Sequence, residues 1–83
     1  MNQTRGGKRR ADKMQKLLIE GKVMESPRGM NAASRRTVYE CGAIDALANL
    51  RHLCDKHDLD FGSLDRTSYG HYAGWWLGAV VEV

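Results

Sequence analysis

Apolar residues recur at steps of three and four along most of the chain, in three runs separated by polar breaks. In residues 8–20, Ala11, Met14, Leu17 and Leu18 share one side of a helix, while Lys8, Arg9, Lys13, Lys16 and Glu20 fall mostly elsewhere. Gly21 supplies a stop, because glycine tolerates the left-handed conformation in which many helices end. The strongest periodicity covers residues 32–57. Tyr39, Ala43, Ala46, Leu47, Leu50, Leu53, Cys54 and His57 fall within about a third of the helical circumference, with Asn49, Arg51, Asp55 and Lys56 outside it. This stripe is expected to form the spine of the core. Asn31 or Ser34 can cap its start, and Thr37 with Glu40 has the spacing of a capping box. A third run follows Asp60, a good N-cap, with Phe61, Leu64, Tyr72 and Trp75 roughly helically spaced and Asp65 suited to the dipole near the start.

The pattern predicts an all-α fold of three helices, at about residues 8–20, 32–57 and 61–75. The second and third form a hairpin, and the first packs across it. Residues 21–31 read as a loop in which Pro27-Arg28-Gly29 is turn chemistry. Residues 1–8 read as a flexible basic arm. The C-terminal tail is ambiguous. Gly70, Gly74 and Gly78 recur every four residues, and each costs a helix interior about 1 kcal/mol relative to alanine. The final Ala79-Val80-Val81-Glu82-Val83 is β-branched and favours extended backbone. Either the helix continues, packed closely through its glycines, or the tail extends from about residue 76.

The 83 residues have room for one domain with a marginal core, which keeps a homo-oligomer in view. Charge is unevenly placed. Residues 1–28 hold eight Lys/Arg against three acids, a net of +5, and residues 29–83 hold five against seven, a net of −2. A basic arm on a mildly acidic body favours contact with phosphate or with an acidic protein surface. No run of roughly 18 apolar residues occurs, so no membrane partner is expected. The polar, basic start lacks the apolar stretch of a secretory signal. Cys41 and Cys54 are accordingly expected to be reduced thiols in a cytoplasmic protein.

Little catalytic chemistry is legible. Cys54 and His57 have C-x-x-H spacing, but Cys41 lies about 140° around the helix from Cys54 and makes a poor further zinc ligand. Cys54 is expected in the core instead, with His57 near a helix C-terminus. Nothing places a nucleophile, base and orienting group together, so no catalytic residue, metal or cofactor is assigned and the chain is expected not to be an enzyme. Asp55, Asp58 and Asp60 loosely resemble a calcium loop, but its glycine and terminal glutamate are missing. They read as capping and turn residues that also offer an acidic surface to a basic partner. The aromatics crowd toward the end of the chain. Tyr69, Trp75 and Trp76 are candidate anchors, because Trp and Tyr dominate interface hot spots and adjacent tryptophans cannot both face one core. Arg5, Lys8, Arg9, Arg10 and Lys13 are candidates for nucleic-acid phosphates or an acidic surface.

The stretch Asp45-Ala46-Leu47-Ala48-Asn49-Leu50-Arg51-His52, then Cys54-Asp55-Lys56-His57-Asp58-Leu59-Asp60-Phe61, then Asp65-Arg66 and His71-Tyr72, resembles a group of small uncharacterised proteins. They are helical proteins encoded by phages, prophages and related bacterial genomes. The resemblance spans about residues 40–72. It implies a helical hairpin and a mobile-element origin, and carries no activity. Relatives continue in polar, acidic residues after the position of Tyr72, whereas this chain runs GWWLGAVVEV.

The expectation is a non-enzymatic binding protein. Its sharpest form is a phage-encoded accessory protein that inhibits a host defence complex by protein contact, as anti-CRISPR and other anti-defence proteins do. The partner would then be a host protein or ribonucleoprotein. One alternative is a small basic nucleic-acid-binding regulator. Another is an oligomeric sponge that holds a signalling nucleotide between protomers.

Overall fold

The computed structural model describes the backbone of residues 5–76 and the side chains of residues 6–74. It contains helices α1 (Arg5–Glu20), α2 (Ala32–Lys56) and α3 (Phe61–Trp76), and no strand among the described residues. The fold is the expected all-α arrangement, with α2 and α3 in contact. None of the described helices is long and apolar enough to cross a membrane. Of the tail expected from about residue 76, the backbone of Trp76 still belongs to α3 and residues 77–83 lie outside the described residues.

The first helix starts at Arg5, earlier than the pattern predicts, and takes in Gly6 and Gly7. The expected flexible arm therefore does not reach residue 8. Once the run from Lys8 is helical, each added residue gains a backbone hydrogen bond without a new nucleation step, which offsets the glycine cost.

Among the competing starts of α2, Asn31 wins. It is extended (φ −72°, ψ 172°), and its side-chain oxygen accepts from the Ser34 N–H at 2.9 Å. The capping-box residues do other work. The Thr37 hydroxyl donates to the Ala33 carbonyl at 3.3 Å, and Glu40 pairs with Arg36 Nε at 3.0 Å. Asp60 caps α3 as expected, its carboxylate accepting from the Ser63 N–H at 3.3 Å.

Both α1 and α2 end in the same device. After α1, the Lys22 N–H bonds the Ile19 carbonyl and the Val23 N–H bonds the Leu18 carbonyl, at 3.1 and 2.9 Å. After α2, Asp58 bonds Asp55 and Leu59 bonds Cys54 in the same way, at 3.3 and 2.8 Å. This nested pair of bonds is a Schellman motif, which needs a left-handed residue between helix and exit. That residue is Lys22 (φ 63°) in one case and Asp58 (φ 54°) in the other. Gly21, the expected left-handed stop, sits one position too early. In the following loop Gly29 (φ 80°) completes the Pro27–Met30 turn, whose Met30 N–H bonds the Pro27 carbonyl at 3.1 Å.

The first helix packs on the hairpin as expected, but the covering of α2 departs from expectation. Helix α1 contacts α3, and the loop after α1 reaches α2 through Met24, which lies against Gly42. The α2–α3 junction is bound by Arg51, whose guanidinium stands 4.3 Å from the Phe61 ring centroid. The stripe of α2 is not the covered spine that its periodicity implies. Cys54 is buried at 6% exposure, but Tyr39, Leu47, Leu50 and Leu53 remain 42–51% exposed. Arg51 and Gly42 lie about 100° and 80° from Leu50, on opposite flanks of the helix, where Phe61 and Met24 meet them; between these flanks Cys54, about 40° from Leu50, is covered, while the leucines along the crest stay about half exposed. The molecule is correspondingly flat, with extents of 39 × 34 × 19 Å.

Candidate functional site

The clearest built surface is the outer side of α1. Its apolar residues Ala11, Met14 and Leu18 line a shallow groove shared with Met24, Tyr39 and Ala43. This orientation turns the opposite side of α1 to solvent. Lys8, Arg9, Lys13 and Lys16 are all exposed there. At about 100° per residue they span an arc of roughly 140°, which also holds Asp12, Ile19 and Glu20. Four like charges on three turns of one helix repel one another, and any anion that bridges them relieves that repulsion.

The helix sorts the sequence candidates. Lys8, Arg9 and Lys13 share the basic face. Arg10 is exposed but lies about 60° beyond Lys13, toward Leu17, and is not part of the same face. The side chain of Arg5 lies outside the described residues. Lys16 belongs to the face, although reading the basic cluster as a terminal arm leaves it out. Its spacing of three from Lys13 and seven from Arg9 is the signal that places it there.

The acidic turn is occupied with its own architecture. Asp58 holds the left-handed position of the Schellman motif, and Asp60 caps α3. Asp55 is exposed on the last turn of α2. Of the aromatic anchors, the side chains of Trp75 and Trp76 lie outside the described residues. Tyr69 is 68% exposed, the most open of the large apolar and aromatic side chains described, with its ring 6.2 Å from that of Tyr72. The basic face, the acidic turn and Tyr69 belong to three separate elements. The structure does not bring them into one cleft.

Cys54 is buried and Cys41 exposed, both as free thiols. His57 is the C-cap of α2, its N–H bonded to the Leu53 and Cys54 carbonyls at 3.2 Å. Among the described residues, no group of three or more His, Cys, Asp or Glu side chains is placed to hold a metal ion.

The chain matches no family model, no curated protein and no solved structure. The functional reading therefore rests on the surface of α1 and on the chemistry of its side chains.

Proposed function

We propose that the chain is a non-enzymatic binding protein whose working surface is the basic face of α1, and that its ligand is a nucleic-acid backbone. The supporting observation is the exposure of Lys8, Arg9, Lys13 and Lys16 on one side of a helix whose other side lines a groove with α2. Such a face recognises the regular spacing of phosphates and carries no base readout of its own. Its affinity is dominated by counterion release. Neutralising about four phosphates gives a slope of roughly −3 to −4 in log K against log salt.

Fluorescence anisotropy with a short labelled duplex DNA and a short labelled RNA tests this reading. Binding at low salt should weaken along that slope. Lys8→Glu with Lys13→Glu and Lys16→Glu should weaken it at least tenfold without loss of helical content. No binding to either nucleic acid at low salt would reject the proposal.

A second reading is favoured by the exposure of Tyr69. In it the chain is a phage-borne accessory protein that blocks a host defence complex by protein contact. The two readings separate on one pair of variants. Tyr69→Ala abolishes capture of a host protein complex in the second and leaves nucleic-acid binding intact, whereas the α1 charge reversals abolish nucleic-acid binding in the first.

A further inference from the structure

Beside the basic face, the second half of α1, the loop after it and the first turn of α2 form an open depression of about 430 Å³. That volume falls in the range of roughly 300–1,000 Å³ usual for small-ligand sites. Gln15, Ile19 and Pro27 line it and are half-buried, whereas Ser26, Arg28 and Arg35 line it and are exposed. A partly apolar floor is thus rimmed by two guanidiniums and a hydroxyl. No described Asp or Glu lines it.

We propose that this depression receives a phosphate monoester, the terminal phosphate of a nucleic-acid strand or of a free nucleotide. For the strand, the proposal rests on the reading of α1 as a backbone-binding face. Three observations select this chemistry. First, the two guanidiniums are held for use elsewhere than in an ion pair. The neighbouring Arg36 is engaged by Glu40 at 3.0 Å, but neither Arg28 nor Arg35 has a carboxylate partner among the described residues. The Met30 carbonyl accepts from Arg35 Nη1 at 3.3 Å. That bond sets the head of Arg35 beside the loop and leaves its other N–H groups to a ligand. A phosphate monoester brings about −1.5 to −2 charges and three acceptor oxygens, enough for two guanidinium forks. A carboxylate or an internal phosphodiester brings a single charge.

Second, the loop supplies a further donor and an approach. Ser26 Oγ accepts the Arg28 N–H at 3.4 Å, so its own proton is left for an acceptor oxygen. Gly29, which also lines the depression, has φ of 80° and nothing within 4 Å of where a Cβ would stand, so a ligand can come close to the loop backbone. Third, the depression adjoins the basic face without being part of it. Ile19 stands one turn from Lys16, and Gln15 lies within about 20° of Lys8 around the helix. A strand running along α1 therefore has a place for its end. Asp12 and Glu20 share this part of α1 but do not line the depression.

Two titrations of the full chain test the proposal. The first compares, by fluorescence anisotropy, a short single-stranded RNA labelled at its 3′ end, with and without a 5′-phosphate. The phosphorylated strand should bind about tenfold tighter. Arg28→Gln with Arg35→Gln should bring that ratio to near one, with circular dichroism showing unchanged helical content. Arg36→Gln, a charge loss beside the depression, should leave the ratio in place. Lys8→Glu with Lys13→Glu should weaken both strands and preserve it. The second titration compares adenosine monophosphate with adenosine by calorimetry. A preference for the phosphorylated strand without binding of the monophosphate assigns the site to strand ends. Binding of the monophosphate as tight as that of the strand, lost in Arg28→Gln with Arg35→Gln, assigns it to free nucleotides. Equal affinity for the two strands, with no binding of the monophosphate, overturns the proposal and leaves the backbone-binding reading standing. Binding of the monophosphate with no binding of either strand does the reverse. A monoester preference that survives Arg28→Gln with Arg35→Gln also overturns the proposal.

Discussion

Met24 occupies the space that a side chain at Gly42 would need. A Cβ built on Gly42 would stand 2.6 Å from both Cγ and Sδ of Met24 and 3.1 Å from its Cβ. Met24 is 8% exposed, so it has little room to retreat. The contact joins the loop after α1 to the middle of α2, and it is tight because the helix offers bare backbone there. Gly42→Ala gains about 1 kcal/mol of helix propensity but displaces Met24. Overpacking typically costs about 1–3 kcal/mol, so the net effect should be destabilising by roughly 1 kcal/mol. Urea denaturation measures it, and in a Met24→Ala background the same substitution should turn neutral or stabilising. Additivity of the two changes would show that the contact does not matter.

Gly70 is the control for that argument. It is also interior to a helix, but nothing lies within 4 Å of a Cβ placed there. Gly70→Ala should therefore stabilise the chain by about 1 kcal/mol, the full propensity difference. A loss of stability on urea titration would contradict the packing described for α3.

Lys22 carries a strained backbone. Its φ of 63° costs a non-glycine residue on the order of 1 kcal/mol, and the Schellman bonds of α1 require it. Lys22→Gly should raise the thermal midpoint, with a gain of about 0.5–1 kcal/mol. Asp58→Gly should gain less, because Asp tolerates this region better than Lys does. Calorimetry on the two variants ranks them, and the reverse order would be inconsistent with the assignment.

Arg51 and Phe61 tie α2 to α3 by a cation–π contact at the edge of solvent. Such contacts contribute about 0.5–1 kcal/mol when exposed. Arg51→Ala should cost about that much, and Arg51→Met should recover only the part due to packing of the stem. A double-mutant cycle with Phe61→Leu isolates the pairwise term. A coupling energy near zero would remove the contact from the account of the hairpin.

Much of this architecture is legible one turn at a time. Asp60, Pro27 with Gly29, and the three periodic runs each act on immediate neighbours, so their consequences follow from the local sequence. Choosing Asn31 over the Thr37–Glu40 pair is less accessible, because Glu40 finds a stronger partner in Arg36, one turn back on the same helix. The covering of the α2 crest is not legible, since periodicity says which residues share a face and nothing about what meets it. That outcome depends on where Met24 and Phe61 land, and both are set by loop geometry. The basic face of α1 lies between these cases. Its residues, and the spacing that separates Arg10 from Lys16, are visible in the sequence, but that the apolar side of α1 lines a groove with Tyr39 and Ala43 is not.

Cys54 marks the joint between α2 and α3 from the inside. Its thiol is buried, and its carbonyl accepts the N–H groups of His57 and Leu59, which close the turn between the helices. Cys41, on the outer side of the same helix, is open to any thiol reagent. The chain thus carries its own pair of chemical clocks. Alkylation of Cys41 times the reagent, and the lag before Cys54 reacts times the opening of the hinge. Local breathing and whole-molecule unfolding can then be told apart on native protein without adding a label site.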